Sequence, residues 1–188
     1  MKLIIDVGCN KLQGFIKLES LENITNEDQK IFVEANPECW DFLEKNISSI
    51  PNSLFIKKAL DTQTREVQLT TRADNKTDMA ATILGQEFIE KSLNRWNIKV
   101  KDYQQYTIST VTLKELLSLH QNSKYDSIIL KLDIEGMEYS VIQQILDDNI
   151  NVDKIYCEFH IHTPEENSLK AKLIEGLKDK GIQILDWD

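Results

Sequence analysis

The chain has 188 residues, 41% of them hydrophobic and 28% charged, which suits one domain with a core of its own. Its net charge of -9 and the lack of a dense basic run point away from nucleic acid, because phosphate contacts carry most of that affinity. No apolar run approaches the ~18 residues that span a bilayer, and the first strand begins at Lys2 with no leader pattern, so a cytoplasmic chain that spans no membrane is expected.

Leu3, Ile4 and Ile5 run into Asp6, so residues 2–7 read as a buried strand that ends in an acid. A glycine turn at Gly8 leads into a helix over about 11–21, with Leu12, Phe15, Ile16 and Leu18 or Leu21 toward the sheet. Ile31, Phe32 and Val33 make a second strand over 30–35, and Glu34 is its acid. Asn36-Pro37 opens the next helix as N-cap and first helical residue, and that helix runs through Trp40, Phe42 and Leu43 to about Asn46. Residues 53–60 read as a third strand, and alternation at Val67 and Leu69 makes 65–71 a half-exposed antiparallel strand.

Regularity falls over 74–106, which reads as an irregular insert with a helix at 84–96. A strand at 106–111 follows, then a helix opened by the capping box Thr112/Glu115. Residues 127–133 form a buried strand, 138–147 a helix and 154–159 a strand. The capping box Thr163/Glu166 opens a last helix that stops at Gly181, before a strand at 182–187. Strands alternating with helices imply an α/β fold around a mostly parallel sheet. Cys9, Cys39 and Cys157 form no CxxC pair and sit beside apolar residues, which fits small buried thiols in a reduced compartment.

Strand, acid-glycine turn, helix, strand, acid is how a parallel sheet holds a ribose-bearing cofactor. Glu34 lies about twenty residues beyond the turn, where a carboxylate accepts hydrogen bonds from ribose hydroxyls. A dinucleotide fingerprint needs G-x-G-x-x-G, whereas Asn10 stands at its middle glycine. One glycine after an acid suits a cofactor without pyrophosphate, such as S-adenosylmethionine; the plainer reading is a tight turn between strand and helix.

The motifs D-V-G-C-N at Asp6–Asn10, V-E-A-N-P at Val33–Pro37 and L-K-L-D-I-E-G-M-E at Leu130–Glu138 resemble those of the FkbM-type class I methyltransferases. TVTLKELL and the Glu158 of IYCEFH extend the resemblance over nearly the whole chain. It implies a Rossmann-like three-layer sandwich that binds S-adenosylmethionine and O-methylates a sugar or another hydroxyl-bearing metabolite. Leu12 stands where the family usually has glycine, with Gly14 expected to compensate through a shifted turn. The chain ends one strand beyond Glu158, so part of the usual C-terminal hairpin is expected to be missing.

On this reading Asp6, Gly8, Cys9 and Asn10 hold the amino-acid end of the cofactor, Glu34 and Ala35 the ribose, and Ala59, Leu60 and Asp61 the adenine. Asn36 is either a ligand or an N-cap. Asp133, which also reaches the cofactor, and Glu135 end a central strand, where open α/β sheets place ligands, and either is a candidate base for a hydroxyl proton. Glu135 is equally a candidate cap of the helix after Gly136.

Glu158, His160 and His162 alternate, so an extended chain puts them on one face; with Asp133 they are a weak candidate metal set, and the plainer reading makes His160 a base or a hydrogen-bonded residue. His120 reads as surface. The 74–106 insert is a candidate acceptor-side cap, with Met79, Phe88 and Trp96 as acceptor pocket or as ordinary packing. The expected partner is a small-molecule or glycan acceptor, and the pattern assigns no oligomeric state. The rival functions are a non-catalytic binding or assembly protein and a nucleotide-cofactor oxidoreductase.

Overall fold

The computed structural model describes residues 1–73, 81–94, 100, 102–119 and 124–187. In chain order the elements are β1 (Lys2–Val7), α1 (Gln13–Glu22), β2 (Gln29–Val33), a 3-10 turn (Pro37–Cys39), α2 (Trp40–Ile47), β3 (Ser53–Ile56), β4 (Ala59–Leu60) and β5 (Glu66–Arg72). Then come α3 (Gln86–Asn94), β6 (Tyr103–Val111), α4 (Leu113–Ser118), β7 (Ser127–Leu132), α5 (Glu138–Asp147), β8 (Lys154–Cys157), α6 (Pro164–Asp179) and β9 (Gln183–Asp186). No described helix is long and apolar enough to cross a membrane.

The main sheet has six strands in the order β3-β2-β1-β7-β8-β9, all parallel. Alternation splits each strand between two helical layers. Leu3, Ile5, Val7, Leu130 and Leu132 pack against Leu113 and Leu116 of α4, Val141, Ile142 and Ile145 of α5, and Leu173 and Leu177 of α6. Ile4, Phe32 and Ile129 turn the other way, toward Phe15 and Leu18 of α1 and Leu43 and Ile47 of α2. The result is the Rossmann-like three-layer sandwich. From β1 the chain winds outward through β2 to β3, then returns to place β7 on the other side of β1. This reversal puts the switch point between β1 and β7, where such sheets bind ligands at the strands' carboxyl ends.

Both expected capping boxes are present, with Thr112 and Thr163 each accepting from the glutamate N–H three residues on. Gly181 (φ 75) closes α6 in a Schellman arrangement: its N–H donates to the Lys178 carbonyl, and that of Ile182 to the Leu177 carbonyl.

Three expectations are corrected. Residues 53–60 do not form one strand. The Lys58 N–H turns back onto the Ile56 carbonyl at 3.1 Å, and Ala59 and Leu60 leave the main sheet to pair with Thr110 and Val111 of β6. The strand expected at 106–111 begins at Tyr103, because β5 pairs antiparallel with it along its length; β4, β6 and β5 make a second, three-stranded sheet. The turn before α1 does not shift to use Gly14. Leu12 itself adopts the left-handed conformation (φ 66) with its side chain buried in the core, and Gly14 is helical. At the far edge β9 runs parallel to β8, with no antiparallel strand beside it among the described residues.

Candidate functional site

At the switch point Asp6 of β1 and Lys131 of β7 are register partners on the same face. Both are buried, and the Lys131 ammonium lies 3.1 Å from Asp6 Oδ1. The contact is an ion pair; burial raises the Asp6 pKa, and Lys131 opposes the rise. Lys131 spends its directional bond on the Gly8 carbonyl at 2.8 Å and lies 3.6 Å from Asp133 Oδ2. Burial alone would push Lys131 down, but Asp6 and Asp133 hold its pKa above the ordinary lysine value, so it stays a cation.

Two glycines make room for this arrangement. A Cβ on Gly14 would lie 3.0 Å from the Lys131 side chain. At Gly8 (φ 73) a Cβ would lie 1.8 Å from the Asp133 carbonyl, so the protein's own backbone demands glycine there.

Glu34 follows β2 directly and is 6% exposed. Its carboxylate accepts the Asn10 N–H at 2.8 Å and the Asn36 N–H at 2.7 Å. Burial raises its pKa, and these two bonds oppose the rise. Asn36 is an N-cap as expected: its side chain accepts from the Glu38 N–H of the 3-10 turn.

A cleft of about 280 Å³ opens above these residues, near the lower end of the roughly 300–1,000 Å³ of small-molecule sites. Of the expected residues, Gly8, Cys9, Asn10, Glu34, Ala35, Asn36, Ala59, Leu60, Asp133, Glu135 and Glu158 line it. Asp6 does not; it lies under the floor against Lys131. Asp61 is also elsewhere, accepting from the Thr62 N–H and pairing with Arg65 to hold the turn after β4. Burial raises the pKa of Cys9, and that of Cys39 to about 12, so neither is a ready thiolate nucleophile.

At one end of the cleft acids gather around His160. Its Nδ1 lies 2.7 Å from Glu138 Oε1, and its Nε2 lies 3.2 Å from Glu135 Oε2 and 3.8 Å from Glu158 Oε1. Burial lowers the His160 pKa, but hydrogen bonds to Glu135 and Glu138 dominate and raise it to about 11. Both His160 nitrogens face carboxylates, and His160 does not line the cleft, so the geometry does not place it as a general base. It orients the acids that line the cleft.

Glu135, the candidate cap of α5, does not cap it: the N-cap is Met137, with no side-chain cap hydrogen bond, and the Glu138 carboxylate accepts the Ile134 and Gly136 N–H groups of the preceding loop. His162 leaves the expected metal set. The extended chain ends at Cys157, and His162 turns to Ser92 Oγ at 3.2 Å and the Phe88 ring. Phe88 packs on that ring and over Gly136 (φ 103), where a Cβ would lie 2.4 Å from it, rather than lining the cleft. Met79, Trp96 and His120 lie outside the described residues.

Lys131 and Glu138 carry much of this geometry; both lie in the Leu130–Glu138 motif, but the sequence gives neither a role. Trp187, just past β9, is a further cleft residue, with the Lys17 ammonium 4.4 Å from its ring.

Fold and site together define a Rossmann-like protein with a cleft across the carboxyl ends of β1, β2 and β7. The chain belongs to the FkbM methyltransferase family: residues 6–184, nearly its whole length, match the methyltransferase FkbM domain. Comparison with curated proteins and with solved structures gives no match.

Proposed function

We propose that this methyltransferase uses S-adenosylmethionine to methylate a hydroxyl group of a sugar or another small metabolite. The observation that carries the cofactor reading is Glu34. Each of its oxygens is anchored by one backbone N–H and keeps lone-pair capacity for a hydroxyl donor, which suits a ribose diol. Ala35, Ala59 and Leu60, with Leu69 and Ile83 beside them, offer an apolar wall suited to an adenine. The turn of Gly8, Cys9 and Asn10 would hold the amino-acid end, and Asp6 supports that turn through Lys131.

When bound, S-adenosylmethionine supplies a methyl group on a sulfonium. The chain's part is to align the acceptor oxygen and take up its proton. Asp133 is the candidate base: it lines the cleft at the carboxyl end of β7 with its side chain 27% exposed, whereas Glu135 is tied to His160. The three free, buried cysteines support a reducing, cytoplasmic setting.

The test is methyl transfer from isotope-labelled cofactor to a panel of sugars and small alcohols, with the methylated atom located by NMR. A methyl on oxygen is expected, and Asp133→Asn should lower turnover by ~10²-fold or more with cofactor affinity unchanged. Cofactor binding with no transfer to any acceptor would leave a non-catalytic binding protein.

A further inference from the structure

We propose that Asp133, Glu158 and His160, with Glu135 beside them, bind one small divalent cation at the acidic end of the cleft. One ligand atom from each of Asp133, Glu158 and His160 can be chosen so that all lie within 4.8 Å of one another. Donors at roughly 2.0–2.2 Å from a shared ion lie about 3 Å apart when adjacent and a little over 4 Å when opposite. The 3.2 and 3.8 Å separations of His160 Nε2 from Glu135 and Glu158 already fall in that range.

The histidine supplies a second, independent observation. A metal-bound imidazole almost always gives its other N–H to a carboxylate, which fixes the ring. Glu138 does this at Nδ1, is itself fully buried, and is anchored by the Gly136 N–H at 2.9 Å. The Tyr139 hydroxyl holds the His160 carbonyl at 3.3 Å. Nε2 is thereby aimed among the carboxylates; without a cation it carries a proton toward Glu135, and a bound cation takes the place of that proton, which is released to solvent.

Charge points the same way. Asp133, Glu135, Glu138 and Glu158 surround one imidazole, and Lys131 is nearer to Asp6 than to Asp133. Carboxylates with one imidazole suit Mn²⁺ or Zn²⁺ better than Ca²⁺. Asp133 and Glu158 face the cleft with side chains 27% and 38% exposed, which gives an entry path.

The use of the ion, though not its binding, rests on the methyl-transfer reading: held there, it would bind the acceptor oxygen and ease loss of its proton. Asp133, ligating through one oxygen, keeps the other to take up that proton.

The test is calorimetric titration of Mn²⁺ and of Zn²⁺ into the full chain without cofactor, with the EPR signal of free Mn²⁺ as a second readout. One site per chain is expected, weakened at least ~10-fold by Glu158→Gln or Asp133→Asn and ~10–100-fold by Glu138→Gln. Glu158 is partly exposed, so Glu158→Gln should keep the wild-type urea unfolding curve. No saturable binding of either ion, or binding undiminished in Glu158→Gln and Asp133→Asn, overturns the site. Because the titration contains no cofactor or acceptor, its failure leaves the methyl-transfer reading standing, and a failed transfer assay leaves the cation site standing.

Discussion

The ammonium of Lys131, 1% exposed, holds the floor of the cleft together by facing Asp6 and bonding the Gly8 carbonyl. Removing one partner of a buried ion pair strands the other charge, so Lys131→Met should lower stability by about 3–5 kcal/mol in urea unfolding. Adding Asp6→Asn should recover most of that loss, because the double variant strands no charge. A double variant no more stable than Lys131→Met would mean that the lysine acts by packing against Gly14 instead. Asp6 was legible in the sequence as an acid ending an apolar run. Lys131 was not, since its role depends on the β1–β7 register, which the pattern of one strand does not display. Glu138 was hidden for a similar reason. It looks like any first-turn glutamate until the preceding loop folds its N–H groups back onto it.

Among the elements, strands and helices with strong periodicity and capping chemistry appeared where the sequence placed them. The failures came where partners decide. Nothing in SLFIKKAL marks the turn at Lys58, and nothing in YQQ reads as strand until β5 lies beside it. Glu22 shows what such a partner contributes. It ends α1 and accepts from Lys154 at 2.6 Å and from the Tyr156 hydroxyl, both on β8. Burial pushes its pKa up, but these bonds outweigh burial and hold it below 4.5. A depressed folded-state pKa gives stability that is present above the unfolded value and lost as pH falls through the folded one. Glu22→Gln should therefore cost about 1–3 kcal/mol at neutral pH, the scale of hydrogen bonds to a charged group. In urea unfolding its deficit should hold steady above about pH 5.5 and narrow below about pH 4.5. A deficit unchanged down to pH 3 would show that packing, not charge, ties α1 to β8. The cleft lies at the opposite end of the sheet, so ligand binding should be unaffected.

At the scale of the molecule, the order β3-β2-β1-β7-β8-β9 gathers residues as distant in sequence as Gly8, Glu34, Asp133 and Trp187 around one cleft. A ligand there joins both halves of the sheet, so binding should register as global stability. At a concentration of S-adenosylhomocysteine about 100 times its dissociation constant, linkage adds about 2.7 kcal/mol. For a chain of this length that is a rise of roughly 5–10 °C in Tm. NAD should give no rise, because the turn carries Asn10 in place of the middle glycine of the dinucleotide fingerprint. Glu34→Gln should lower affinity at least ~10-fold, the loss expected when a charge-assisted hydrogen bond to the ribose is weakened. At the same ligand concentration the shift should then shrink to about half. Glu34→Gln should also lower Tm without ligand, because its amide would set a donor against the Asn10 or Asn36 N–H. The two effects separate cleanly: a lower ligand-free Tm with an undiminished ligand shift would make Glu34 a brace for its two loops and not a ribose ligand. A rise with NAD and none with S-adenosylhomocysteine would move the cleft to the oxidoreductase reading.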